Sequence, residues 1–311
     1  MSHSERAKRL ISIDVDKLFL EVFGHSVLYK NLGHNSLERN RVYYIEDYNV
    51  ICKLYGEKSR WNKEIDCLSN VKSSNFTTPV IYKHGVVNEM GWILMSHLEG
   101  TVISDKYEKL LDEGKNKLWT LLGKMLKEFH LENSRLESKH GEGLDTKKSL
   151  EQVNYYQSIK DDYLYSKNKL LKKNLYSNEE VYNKCFNFIE DKLQKYIDCE
   201  ILELTLCHND FGLRNIITND DFSKFGIIDF EVGSYAEKES DLARVIIDLY
   251  NSIYMEKFLC GYFGQANLPT NIEEKIRFYL MLKCLDVCSW AHDRAYDYYI
   301  KSYTVIEQLI Y

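Results

Sequence analysis

The sequence predicts an α+β chain in two lobes, a small β-rich one over residues 1–97 and a larger, mainly helical one over residues 98–311. Three observations carry this. Up to residue 97, short runs rich in β-branched and aromatic residues are separated by turn residues, as strands are. Past Gly100 the apolar residues recur at helical spacing. The larger lobe also holds a pair of short apolar runs that end in acidic residues, at LCHND and at GIIDFE.

Taken in order, DVDKLFLEV (residues 14–22) predicts a short opening helix. HSVLYKN, RVYYIED and NVICKLY follow as three strands, the last two joined by a tight turn at Asp47-Tyr48-Asn49. A polar helix is predicted over Ser59 to Asn70, then two more strands within TTPVIYKHG and GWILMSHLEG. In KNKLWTLLGKMLKEFHLE, residues Leu118, Leu121, Leu122, Met125 and Phe129 mark the buried face of a helix. Residues 147–198 are polar, lysine-rich and helical in pattern, and everything from about 239 onward is helical. Two short strands, around 201–207 and 224–229, interrupt the helices and carry the acidic ends. The sequence holds no internal repeat, low-complexity tract or flexible linker.

Composition bounds what such a chain does. A formal charge of −6 argues against nucleic acid as a partner and is compatible with a cationic small molecule. No apolar run approaches the roughly 20 residues that cross a bilayer, so no membrane partner is expected. The N-terminus MSHSERAKRL lacks an apolar stretch of signal-peptide type. Eight scattered cysteines without a CxxC pair fit reduced thiols, and a cytoplasmic location is the expectation. Cys284 and Cys288, four apart on a helix, read as packing of one face rather than as a metal site. Oligomeric state is left open.

The chemistry sits at the strand ends. Asn215 lies five residues after Asp210, the offset of a kinase catalytic loop H-x-D-x-x-x-x-N, in which the aspartate orients a hydroxyl nucleophile and the asparagine takes a magnesium ion. Asp229, after the second strand, is the acidic partner for that hard cation, which favours oxygen donors. A lone H-x-D is most often a cap or a turn. The order strand, H-x-D-x4-N, strand, D arises far less readily by accident. The same pattern demands a lysine on the third strand and a glutamate on the next helix, and Lys53 and Glu64 stand there. A phosphate-covering turn is expected between the first two strands, where NLGHNSLERN offers Gly33 and backbone donors near His34, Asn35 and Ser36.

These motifs resemble the aminoglycoside phosphotransferase and choline kinase family, small-molecule kinases with a protein-kinase-like fold. The likeness runs through NLGHNS, VICKLY, Glu64, ILMSHLEG as a hinge, LLGKMLKEFH, CHNDFGLRN, IIDFE and ESDLAR. It implies Asp210 as the catalytic base, Asn215 and Asp229 as Mg2+ ligands, and Lys53 on the α- and β-phosphates of ATP or GTP. His208 would buttress the loop, main-chain atoms around Ser96 and Leu98 would hold the base edge, and Asp241 and Arg244 would brace the catalytic loop. Two departures from protein kinases stand out: Asn209 replaces an arginine, and Glu231 replaces the glycine of D-F-G. Only eleven residues separate Asp229 from Ser240, too few for a long activation segment, which disfavours a protein substrate. Arg214 reads either as a cation for the transferred group or as an outward salt bridge.

The acceptors of the family are often cationic, and antibiotic resistance is the role that resemblance suggests. An acidic pocket would suit an aminoglycoside, and an aromatic cage would suit choline or ethanolamine. Candidate acceptor-binding residues are Glu231, Glu237, Asp286, Trp290 and Asp293, with Glu239, Tyr296 and Asp297 near them in sequence. A non-catalytic nucleotide-binding protein, a pseudokinase or a spore-associated relative, is the reading from a different class. The presence of Lys53, Asp210, Asn215 and Asp229 together argues against it.

Overall fold

The computed structural model describes residues 9–32, 39–138, 146–173, 178–197 and 201–311. The chain divides into two compact units, one from residues 1–109 with 213–234, the other from 110–212 with 235–311. The α+β class holds, with sheet and helix segregated as the sequence predicts.

In the first unit, helix α1 (Val15–Phe23) starts at Asp14, whose side chain accepts the Lys17 N–H at 3.0 Å. It precedes an antiparallel sheet of β1 (Tyr29–Asn31), β2 (Asn40–Ile45), β3 (Val50–Tyr55), β4 (Ile81–Val87) and β5 (Met90–Ser96), with α2 (Lys58–Asn70) between β3 and β4. The spatial order is β1-β2-β3-β5-β4. Strand periodicity sorts the side chains between the two faces. Val50, Cys52 and Leu54 of β3 join Met90, Trp92 and Leu94 of β5 in a core with Leu18 and Phe19 of α1. Ile51 and Tyr55 of β3, with Ile93 and Met95 of β5, meet Trp61, Ile65 and Leu68 of α2 on the opposite face. Lys53 has the parity of Ile51 and Tyr55, so alternation alone points it toward α2. Gly91 permits this packing: a Cβ there would fall 2.2 Å from the Trp61 ring.

Beyond β5, β6 (Thr101–Val102) leads into a short helix α3 (Ile103–Tyr107). β6 pairs with one strand of a hairpin made by Ile216–Thr218 and Phe225–Ile227. The strand that carries Asp229 pairs with residues 216–218, immediately after Asn215, and not with the 201–207 strand, which belongs to a different sheet. Residues 216–218 and β6 are too short to imprint a period of their own.

The second unit comprises α4 (Asp112–Glu132), β7 (Ser134–Ser138), α5 (Thr146–Lys173), α6 (Glu179–Ile197), β8 (Ile201–Cys207), β9 (Ser234–Ala236), α7 (Lys238–Leu249), α8 (Met255–Phe263), α9 (Thr270–Ala291) and α10 (Tyr296–Ile310). The helical pattern read over 147–198 is carried by α5 and α6. The strands lie in the order β9-β8-β7. Helix α9 buries Ile276, Phe278, Tyr279, Leu280, Met281, Cys284, Leu285 and Cys288 against α5, α6, α7 and α10. Cys284 and Cys288 are fully buried there, and burial pushes the Cys288 thiol up to about 12. α4 and α8 cross at a pair of glycines. A Cβ on Gly123 would lie 2.2 Å from the Phe258 carbonyl oxygen, and one on Gly261 would lie 2.1 Å from that of Thr120. Among the described residues no helix is long and apolar enough to cross a membrane.

Candidate active site

Within the first unit, Lys53 is buried at the centre of three carboxylates. Its Nζ lies 2.6 Å from Glu64 Oε2, 2.6 Å from Asp229 Oδ1 and 3.3 Å from Glu231 Oε2. Glu64 occupies the apolar stripe Trp61-Glu64-Ile65-Leu68 of α2, which explains why it points at the sheet. The Tyr55 hydroxyl donates to it at 2.8 Å. Burial opposes the charge on Lys53, but Asp229, Glu64 and Glu231 outweigh it and raise the ammonium pKa above its usual value. Glu64 moves the other way from an ordinary ion pair: burial dominates and lifts its carboxyl pKa despite Lys53. Glu231 is also buried, yet Lys53 and Arg60 hold its pKa below the usual range.

Asn215 and Asp229 stand at neighbouring ends of the hairpin. Ile216 pairs with Ile227, and the Ile228 N–H donates to the Asn215 carbonyl at 3.0 Å, so Asp229 follows one residue later. Asp229 adopts φ 69°, in the left-handed region. Asx residues tolerate that region best among non-glycines, and such strain is concentrated at functional turns. An amide oxygen and a carboxylate on adjacent strand ends make a donor set suited to a hard divalent cation.

In the second unit, β8 ends in His208-Asn209-Asp210, where Asn209 also has a positive φ of 61°. This answers for the residue that replaces arginine here, since a long side chain favours left-handed backbone less than asparagine does. Asp241, in the first turn of α7 and fully buried, accepts the His208 N–H at 2.7 Å on Oδ2 and the Asn209 N–H on Oδ1. His130, from the end of α4, reaches the same carboxylate through Nε2 at 3.2 Å. Because an ionised carboxylate only accepts, Nε2 is the donor in that bond, and Nδ1 lies 2.7 Å from the Tyr262 hydroxyl. Burial would raise the Asp241 pKa, but His130 and the neighbouring cations reverse this and lower it. The His208 ring contributes too, its Nδ1 accepting the Asp210 N–H at 3.2 Å. Ser240 donates to the Asn209 side chain at 2.9 Å.

Asp210 itself is half-buried. Arg244 donates through Nε to its Oδ1 at 3.2 Å and through Nη1 to Asp248 at 2.8 Å. Burial opposes the guanidinium charge, and Asp248 with Asp210 more than restores it. Arg244 thus sets a cation directly against the Asp210 carboxylate.

The remaining candidates fall in different places. Gly33, Asn35 and Ser36 lie outside the described residues. Ser96 closes β5, its N–H and hydroxyl exchanging bonds of 2.9 Å with the backbone of Val80, and Leu98 lies beyond the sheet ladder. Glu231 and Glu237 are committed to partners inside their own units. Glu231 holds Arg60, Asn40 and Lys53. Glu237, 2% exposed, accepts from Lys275, from Tyr279 at 2.6 Å and from Tyr156 at 3.1 Å. Asp286 and Asp293 are exposed, with Ser166 and His292 as partners, and Trp290 is half-buried between them in sequence. Arg214 is exposed on the 3-10 turn before the hairpin. Sequence reasoning passed over Arg60, Asn40, Tyr55 and Asp248. The one available signal was that Arg60 precedes Glu64 by a single helical turn.

Residues 33–266 match the family described as "Phosphotransferase enzyme family". No curated protein matches the sequence significantly. Among solved structures, a ternary complex of a thermostable aminoglycoside phosphotransferase APH(4)-Ia mutant with ADP and hygromycin B is similar, at 14% identity and TM-score 0.69, covering 96% of this chain and 98% of that one. The streptomycin–ATP complex of APH(2")-IIa matches at 18% identity and TM-score 0.62, with 96% of each chain covered. Its gentamicin complex gives 17% identity and TM-score 0.63, with the same coverage. At these identities the likeness extends to the fold.

Proposed function

The chain belongs to the phosphotransferase enzyme family, and on that premise we propose that it moves the terminal phosphoryl group of ATP or GTP to a hydroxyl of a small cationic acceptor of aminoglycoside type. The observation that carries this reading is the hairpin holding Asn215 beside Asp229, with the Lys53 ammonium 2.6 Å from that same aspartate. Asn215 and Asp229 would hold Mg2+, which when bound neutralises charge on the phosphate oxygens. Lys53, kept cationic by its carboxylates, would bind the α- and β-phosphates. Asp210 would take the proton of the acceptor hydroxyl as its oxygen bonds to the terminal phosphorus. The bond from that phosphorus to the bridging oxygen breaks, and the nucleoside diphosphate leaves with its electron pair. Asp241, His130 and His208 fix the loop that presents Asp210, and Arg244 would hold its carboxylate in place.

For the acceptor, Asp286 and Asp293 are the exposed ones among the candidate carboxylates, and an ammonium-bearing sugar would reach them there. Leu98, outside the sheet ladder, suits a backbone contact to the base. The buried, free cysteines among the described residues fit action in the cytoplasm. The test has two stages. Mg2+ with ATP or GTP should raise the melting temperature, and a panel of aminoglycosides with choline and ethanolamine should then reveal an acceptor that accelerates nucleotide consumption. Turnover with choline alone would move the assignment to the choline-type kinases. Nucleotide binding without turnover on any acceptor would favour a non-catalytic protein.

A further inference from the structure

Glu231 stands two residues after Asp229, where it touches three separate elements of the first unit. Its Oε1 receives Arg60 Nη1 of α2 at 2.6 Å. Its Oε2 receives the Asn40 amide of β2 and lies 3.3 Å from Lys53 of β3. Arg60 is braced in turn by Glu57 at 3.2 Å. Arg60 and Glu64 are four residues apart on α2, so they lie on one face, and whatever fixes Arg60 also fixes Glu64. Of the three carboxylates around Lys53, only that of Asp229 is substantially open, at 36% side-chain exposure against 1% for Glu64 and 8% for Glu231. Asp229 is therefore the one a ligand from solvent can draw away. Were Asp229 and Glu64 the only anions, its departure would leave the ammonium with a single partner on a helix whose first turn has no side-chain cap.

We propose that Glu231 is a positioning residue for nucleotide binding: through Arg60 it anchors α2, and as a second buried anion it keeps Lys53 on Glu64 when Asp229 engages the incoming ligand. The proposal rests on the phosphotransfer reading for its ligand, but the anchor is a property of the first unit by itself. Two measurements separate these. Hydrogen–deuterium exchange across residues 58–70 of the nucleotide-free protein reads the anchor. Titration with Mg2+ and a non-hydrolysable ATP analogue reads its consequence.

In Glu231→Gln and in Arg60→Met, the α2 amides should exchange about tenfold faster, and affinity for the analogue should fall by about the same factor, with the acceptor KM unchanged. The double variant should be no worse than the poorer single one, because both remove the same bond. Arg60→Lys, which keeps the charge, should recover most of the affinity. Arg60 is 20% exposed, so its variants keep the test open if Glu231→Gln does not fold. Unchanged exchange in Arg60→Met, additive losses in the double variant, or an Arg60→Lys protein as weak as Arg60→Met would each overturn the anchor. A wild-type protein that binds no nucleotide would defeat the functional reading, while the exchange experiment would still decide the anchor.

Discussion

Replacing Asp241 by asparagine changes one atom and takes from the catalytic loop a charged acceptor and the partner of the Asn209 N–H. The wild-type carboxylate accepts three hydrogen bonds, from the His208 and Asn209 N–H groups and from His130 Nε2. The amide keeps one oxygen; placed at Oδ2 it still serves the His208 N–H and His130 Nε2 as a neutral acceptor, and the Asn209 N–H loses its partner. The amide NH2 group then confronts that donor. Hydrogen bonds to a charged group contribute roughly 1.5–3 kcal/mol each, and a buried donor left unmade adds its own desolvation cost. Non-additivity trims the sum, and a loss of roughly 3–5 kcal/mol is expected, near the cost of breaking a buried charged pair. That corresponds to about 10 °C in melting temperature. The pH dependence identifies the cause. A carboxyl whose folded pKa is depressed contributes stability above its unfolded pKa of about 4 and loses it as pH falls through the folded value. Asp241 is depressed in this way. Urea unfolding of both proteins at pH 7, 5 and 3.5 should therefore give a gap that is full at the first two and narrows at the last. Turnover should drop through kcat, since Asn209-Asp210 loses its tether. A variant within about 0.5 kcal/mol of wild type at pH 7, or a gap indifferent to pH, refutes the reasoning.

Three further substitutions probe the rest. Asp210→Asn should lower kcat by at least about 100-fold, the contribution of a general base, while calorimetry shows nucleotide affinity preserved. Retained turnover would remove Asp210 from the chemistry. Lys53→Met leaves Glu64, Asp229 and Glu231, whose oxygens lie within 4.8 Å of one another, without their shared ammonium. It should cost roughly 3–5 kcal/mol of stability as well as nucleotide binding. Since Glu64 already has a raised pKa, the folded variant binds protons more readily than the unfolded chain, so its stability should rise on going from pH 8 to pH 5. A melting profile parallel to wild type would count against the cluster. Gly123→Ala puts a methyl 2.2 Å from the Phe258 carbonyl and should destabilise by about 1–3 kcal/mol in a denaturant titration, with kcat little changed.

What could be read from the sequence was what has a short period. Alternation in VICKLY turns Lys53 to the face of Ile51 and Tyr55, and the stripe of α2 turns Glu64 to meet it. Both ends of that contact are local patterns, so their meeting is legible eleven residues apart. Partners set by topology were not. The strand Ser134–Ser138 that pairs with β8 is polar and five residues long, and the hairpin strand 216–218 is three residues that directly follow the H-x-D-x4-N motif. Arg60 and Glu231 are 171 residues apart and share no period, so their bond emerges only from the fold. Charge legibility failed for a related reason. Glu231 and Glu237 read as acidic groups open to a cationic acceptor, yet each is buried against cations and donors of this chain. A carboxylate in a sequence declares its charge but not its partner, and burial without one would be too costly to persist. The left-handed turns at Asn209 and Asp229 complete the pattern. Each follows an apolar strand and turns the backbone out of strand geometry. Asparagine and aspartate were visible as chemistry in both motifs, while their second virtue, tolerance of positive φ, is what lets the backbone present that chemistry at all.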